Sequence, residues 1–408
     1  MSTGAAPAQP PRLADRLQHI DPFWVMECAK TADEIARSPA CDPARGGRPM
    51  IYLNIGEPDF GAPAAVVQAA QAALAAGRTA YTPAAGLPAL REAIAQWTQQ
   101  RWGVAVDPAR VVVTAGASAA LQLVTMALFQ TGDDVLMPDP CYPCNRHFVA
   151  ATGARPRLLA TGPAQRFQLD AESVAAAWSP ATRGVLLASP SNPTGTSIAP
   201  AEMARIAQVV RSRRGALLVD EIYLGLNFEE RFDHSALALG EDLIVVNSFS
   251  KTFCMTGWRL GWLVLPPALV APVERLAQNL YICPPALAQH AALACFTPEA
   301  LAESEARRVE FRQRRDLVVP SLQALGLEVP VLPDGAFYAW ADCTRHLRKG
   351  RETSWAFCFE MMHRAQVALT PGRDFGPAAA DRCFRLSFAN SRPALEAALQ
   401  RLQQALAS

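Results

Sequence analysis

A chain of 408 residues, half of them hydrophobic, is long enough for two or three domains of roughly 100–200 residues each, with apolar material for a large core. Its formal charge of +1 provides no long-range field for gathering nucleic acid or an anionic membrane surface, so neither is expected as a partner. Only three of the 38 basic residues are lysine (Lys30, Lys251 and Lys349), so a lysine set among apolar and small residues asks for a chemical explanation, and Lys251 is so set.

Residues 1–11 are rich in Pro and Ala and lack the apolar run of a signal peptide, so they are expected to be a flexible lead-in to a cytoplasmic protein. Pro88 and Gly103 bracket a helical pattern carried by Leu90, Ile94 and Trp97. Apolar runs follow at 111–113, 134–137, 184–188, 216–219 and 243–246, too short for helices and separated by helix-length segments such as 119–129 and 200–211. This alternation predicts an α/β fold whose large domain has a mainly parallel central sheet between helices. Two uncharged stretches approach membrane length, 111–132 and 276–298, but polar residues in the first and Pro284-Pro285 in the second mark both as protein interior.

From about Pro298 the texture changes to a charged helical stretch over 299–315, a turn at Asp334-Gly335, a helical segment near 354–364 and a last helix from Pro393. These predict a smaller α+β domain. The expected division is a large domain over 59–298, a C-terminal small domain over 299–408, and a segment 12–58 that forms the N-terminal part of the small domain. The ten cysteines follow no short repeating framework and are expected to be reduced thiols. Cys141 and Cys144 have the spacing of a redox or half-zinc motif but no second pair, and the six histidines are dispersed, so no metal is expected.

Open α/β sheets bind ligands at the carboxyl ends of their strands, which directs attention to the residues after each apolar run. Thr114-Ala-Gly-Ala117-Ser118 opens a helix, where free N–H groups and the helix dipole favour a phosphate; the alternative is a plain helix cap. The turn Pro138 to Pro143 projects Tyr142, a ring able to stack on a flat ligand. Ser191 to Gly195 fixes the backbone around the amide of Asn192, or is an ordinary proline turn. Asp220 closes a buried strand and needs a cation, either a protonated ring nitrogen of a ligand or one of the many arginines. Lys251, flanked by Phe249 and Phe253, is expected to have a lowered pKa and an amine able to form a Schiff base; the alternative is a surface lysine. With Tyr223 and Asn192 for a ring oxygen, the set describes a site for pyridoxal 5′-phosphate.

The segments Asn54-Ile-Gly-Glu-Pro-Asp-Phe60, Tyr81 to Gly86, Ser191 to Gly195, Asp220 to Tyr223, Ser248 to Gly261, Pro333 to Tyr338 and Arg385 to Phe388 occur in an order that resembles the class I/II aminotransferases of the fold type I pyridoxal-phosphate family. The resemblance implies that Lys251 holds the cofactor as an internal aldimine and shuttles a proton, that Asp220 keeps the ring nitrogen protonated, and that Tyr223 and Asn192 bond the ring oxygen. It further implies a stacking Tyr142, a phosphate held by Ala117, Ser118, Ser248, Ser250 and Arg259, and a Tyr81 that reaches the phosphate of a second subunit in a homodimer. Arg385 is implied to clamp the substrate carboxylate, and Gly56 to let the backbone approach it. Cys254 and Ala117 stand where smaller residues, or Gly and Ser, are usual, and no residue is identifiable for a side-chain carboxylate. The expected activity is ping-pong transfer of an amino group from an L-amino acid to 2-oxoglutarate or pyruvate. The alternatives are β-elimination, racemisation or decarboxylation with the same cofactor, or a non-catalytic regulator, for which residues before Asn54 supply too little basic sequence. A nicotinamide dehydrogenase is disfavoured because no G-x-G-x-x-G follows any strand.

Overall fold

The structure is a computed structural model that describes residues 11–407, so all but the last residue of the expected lead-in lies outside the described residues. It begins with helix α1 (Trp24–Ala36), the short strand β1 (Ile51–Tyr52) and α2 (Ala64–Ala75). Helix α3 (Pro88–Trp102) starts on a proline, whose fixed φ suits a first turn, and stops at Gly103 in the left-handed region at φ +71°, as the sequence bracket predicts.

Strands and helices then alternate through β2 (Val111–Thr114), α4 (Gly116–Leu128), β3 (Asp134–Asp139), α5 (Pro143–Ala151), β4 (Arg155–Ala160), α6 (Ala171–Ala177), β5 (Thr182–Ala188), α7 (Pro200–Ser212), β6 (Ala216–Asp220), β7 (Ile244–Ser248) and β8 (Gly261–Val264). The seven strands β2 to β8 form one sheet in the order β2-β8-β7-β6-β5-β3-β4, parallel except where β8 runs antiparallel to both its neighbours. Alternate side chains feed two separate cores: Val185, Leu187, Val219 and Val245 pack on one face, Leu186, Leu218, Ile244 and Val246 on the other. Burial on both faces is why these strands read as unbroken apolar runs.

Two strands left no such signal. The edge strand β4 carries exposed Arg155 and Arg157 around a proline, a composition that keeps an edge from pairing further. The other, β8, is four residues long and adjoins the Gly257–Gly261 segment.

After α8 (Pro267–Leu280) and α9 (Ala286–Ala292), the long helix α10 (Pro298–Ala324) runs past its expected end and through Pro320. Then come β9 (Tyr338–Asp342), α11 (Ser354–Ala365), β10 (Val367–Ala368), β11 (Thr370–Pro371), β12 (Cys383–Ser387) and α12 (Arg392–Ala407). An antiparallel sheet β11-β12-β9 sets Arg385 opposite both Thr370 and Trp340. The N-terminal segment joins this part of the molecule: β1 pairs in parallel with β10, and Cys28, Ala32 and Ile35 of α1 pack with Met362 and Ala368. Among the described residues no helix is long and apolar enough to cross a membrane.

Candidate active site

The carboxyl ends of β2, β5, β6 and β7 converge on a cavity of about 630 Å³. Its wall includes Gly56, Ala117, Ser118, Tyr142, Asn192, Asp220, Tyr223, Ser250, Lys251, Arg259 and Arg385, all singled out from the sequence. Two other candidates are elsewhere. The Ser248 hydroxyl sits behind the wall, donating to the Leu260 carbonyl at 2.9 Å and lying 2.9 Å from the Ser250 hydroxyl. Tyr81 is 80% exposed and does not line the cavity of its own chain.

One end of the cavity carries positive electrostatic potential. Helix α4 begins immediately after β2, so the backbone N–H groups of its first turn, at Ala117 and Ser118, lack intrahelical partners. Gly116 adopts φ +84°, and a Cβ there would lie 2.7 Å from the Arg259 guanidinium. At Gly261 a Cβ would lie 2.8 Å from the Ala117 nitrogen. Both glycines therefore let Arg259 and β8 close on the start of α4, adding a fixed positive charge to the helix dipole.

The centre holds three groups with perturbed ionisation. Asp220, at the end of β6 and 4% exposed, accepts a hydrogen bond from the Ile222 amide at 3.1 Å. Burial pushes its carboxyl up to about 7, against the weaker pull of that amide and of Lys251. Lys251 donates from Nζ to the Gly56 carbonyl at 2.6 Å. Its amine is lowered to about 8, chiefly by burial and further by the Arg385 and Arg259 charges, with Glu57 opposing. Tyr223 is raised by burial, and its hydroxyl meets that of Tyr338 at 2.7 Å.

Arg385, 3% exposed, occupies the side formed by β12. Its guanidinium donates to Asn192 Oδ1 at 2.9 Å and to the Asn54 carbonyl at 2.5 Å, with the Thr370 hydroxyl at 3.4 Å. All three acceptors are neutral, Nε is buried without a partner, and the Tyr338 and Phe375 rings lie 4.5 and 5.1 Å away. The Arg385 guanidinium is thus a buried cation whose hydrogen bonds all go to neutral oxygens, with the Asp374 carboxylate near enough to feel its charge.

Sequence reasoning missed Tyr338, although it closes the Pro333–Tyr338 segment. The Tyr338 hydroxyl occupies the space that a Cβ on Gly56 would need. Also missed were Phe23, Val25, Met26 and Ala29 around the start of α1, and Ile55, whose approach depends on long-range packing that no local pattern reports. The ten cysteines are free thiols, and among the described residues no cluster of His, Cys, Asp or Glu is arranged for a metal ion.

Comparison with known proteins agrees with this geometry. The sequence profile of the family described as "Aminotransferase class I and II" matches residues 48–402. The chain belongs to the class I and II aminotransferases. As a member of that family, which uses pyridoxal phosphate, it is a transaminase acting on amino and oxo acids. It is 39% identical over 384 residues to a valine–pyruvate aminotransferase of Mycobacterium tuberculosis, covering 94% of this chain and 96% of that one. An arginine–pyruvate transaminase of Pseudomonas aeruginosa is 38% identical over 338 residues, 82% of this chain and 84% of its own. The crystal structure of Thermus thermophilus aspartate aminotransferase with maleate superposes with a TM-score of 0.88 at 32% identity, covering 97% of this transaminase and all of the other chain. The three relatives are named for different donors.

Proposed function

We propose that this transaminase moves an amino group from an L-amino acid to 2-oxoglutarate or pyruvate by a ping-pong route, with pyridoxal phosphate held in the cavity by Lys251. The observation that carries the reading is the pairing of two buried, mismatched charges with one softened amine: Asp220 raised by burial, Arg385 bonded only to neutral oxygens, and Lys251 lowered between them. The donor set fits the cofactor. The start of α4 with Ser250 and Arg259 suits the phosphate, Asp220 suits a protonated ring nitrogen, Tyr223 and Asn192 suit the ring oxygen, and Tyr142 offers a stacking face. Ser248 supports Ser250 from behind.

Bound there, pyridoxal phosphate supplies an electron sink that weakens the α-C–H bond of an amino acid. The chain's own residues do the rest. Arg385 orients the α-carboxylate, and Lys251 Nζ, with its pKa lowered to about 8, is suited to accept the α-proton and return it. The same Arg385 clamp can serve donor and acceptor in turn, which fits a ping-pong order in which the enzyme keeps the amino group between the two. Tyr81, exposed on its own chain, is assigned to the phosphate of a second copy, making the working form a homodimer. Ten free thiols fit a reducing cytoplasm. A single-turnover experiment without acceptor tests the reading: loaded enzyme should release one 2-oxo acid per site and no ammonia, whereas ammonia with pyruvate would indicate elimination.

A further inference from the structure

Part of the cavity wall has no task in holding the cofactor: Phe23, Val25, Met26 and Ala29 around the start of α1, together with Ile55. All five side chains are apolar, and Met26 and Ile55 remain 55% and 43% exposed. The cations on the wall, Lys251, Arg259 and Arg385, are each engaged in the proposed function, and the remaining charged group besides Asp220 is the acidic Glu57. Of the side chains that this chain itself contributes to the wall, no cation is spare for a donor's side-chain carboxylate, whereas an apolar side chain meets apolar surface.

One buried side chain ties down the start of this wall, beside the packing of α1 on Met362 and Ala368. Asp374 accepts from the Trp24 N–H at 3.1 Å through one carboxylate oxygen and from the Val25 N–H at 3.0 Å through the other. These are among the N–H groups that a helix start leaves without partners. The Asp374 carbonyl accepts from Arg146 at 3.0 Å, and the neighbouring Arg373 guanidinium lies 4.5 Å from the Trp24 ring and 4.8 Å from Trp355 of α11. Asp374 follows β11, the strand paired with β12, so the start of α1 is tied to the strand pair that carries Arg385.

Building on the transaminase reading, we infer that Asp374 is a positioning residue that holds the first turn of α1 as an apolar wall for the donor side chain, and that the donors are L-amino acids with uncharged apolar side chains. The test measures kcat and KM of the holoenzyme with valine, leucine, methionine, alanine, aspartate and glutamate, beside hydrogen exchange over residues 23–36. Wild-type kcat/KM should favour the larger apolar donors over alanine and over both acidic donors by about tenfold or more. Asp374→Ala should raise KM for the larger apolar donors about tenfold more than KM for alanine, which also feels the loss of the Asp374 charge near Arg385, and should speed exchange in 23–36. Asp374→Asn keeps one acceptor oxygen and should recover part of both effects. Met26→Lys, which leaves Asp374 untouched, should lower kcat/KM for the larger apolar donors and raise it for aspartate, and it keeps the test decisive if Asp374→Ala does not fold. A wild-type preference for aspartate or glutamate, or equal loss with every donor in Asp374→Ala, overturns the inference while leaving the transaminase reading intact. Absence of amino transfer from any amino acid contradicts that reading instead.

Discussion

Replacing Asp220 by asparagine should stabilise the cofactor-free protein at high pH and weaken it once pyridoxal phosphate is present. Burial raises this carboxyl from an ordinary 3.8 to about 7. The folded chain therefore keeps the proton over a range where the unfolded chain has lost it, and stability falls as pH rises from about 4 to about 7. A shift of about three units corresponds to a full cost of about 4 kcal/mol, of which about 2–3 kcal/mol falls between pH 5 and pH 8. Asparagine has no charge to desolvate, keeps a side-chain oxygen for the Ile222 amide, and is nearly the same size. Lys251, lowered to about 8, changes stability in the opposite sense and above this window. Urea unfolding of cofactor-free wild type and Asp220→Asn at pH 5 and pH 8 measures the difference. The variant should gain about 2–3 kcal/mol relative to wild type across that interval, and saturating cofactor should reverse the order by stabilising wild type more. A difference between the two proteins that does not change with pH would refute the assignment of a buried, uncompensated carboxylate.

Lys251→Arg or Lys251→Ala should fold with a wild-type far-UV spectrum yet lose transamination, because a guanidinium stays protonated and alanine has no amine; near-normal turnover would remove Lys251 from its role. The neutral fraction of the Lys251 amine grows as pH rises through about 8, so labelling of this residue by an amine-reactive aldehyde, followed by peptide mass analysis, should accelerate over that range rather than near the 10.5 of an unperturbed lysine. Gly261→Ala forces a Cβ to 2.8 Å from the Ala117 nitrogen and the Asn247 carbonyl, both backbone atoms, and should cost about 1–3 kcal/mol in unfolding stability together with cofactor affinity measured by equilibrium dialysis. Arg385→Lys replaces a fork with a point charge and should raise donor KM by about tenfold or more.

Much of the site was legible because its residues lie at strand ends. Asp220, Asn192 and Lys251 each follow an apolar run, and such runs are apolar throughout because the parallel strands are buried on both faces. Arg385 had a local signal only through its motif; its setting comes from β12 pairing with β11 and β9 and from a carbonyl at Asn54 far away in sequence. Tyr338 and the first turn of α1 reach the cavity through tertiary packing alone, and no periodicity in α1 announces that its start faces a ligand. The sequence leaves the turn at Ala117 open between a phosphate site and a plain helix cap, and the feature that favours the first, the closeness of Arg259 and β8 to Gly116 and Ala117, is a fact of folded geometry. The edge strand β4 was invisible for the opposite reason, since its arginines exist to face water.

Amino transfer by Lys251 and the cavity around it underlies every role assigned above. Its most direct test mixes the pyridoxal-phosphate-loaded protein with each proteinogenic L-amino acid in the absence of acceptor and measures 2-oxo acid, ammonia and the visible absorbance of the bound cofactor in one turnover. At least one donor should yield one equivalent of its 2-oxo acid per site with loss of that absorbance and no ammonia, and addition of 2-oxoglutarate or pyruvate should restore the absorbance. Unchanged absorbance with every amino acid, or ammonia released in step with the oxo acid, would contradict it.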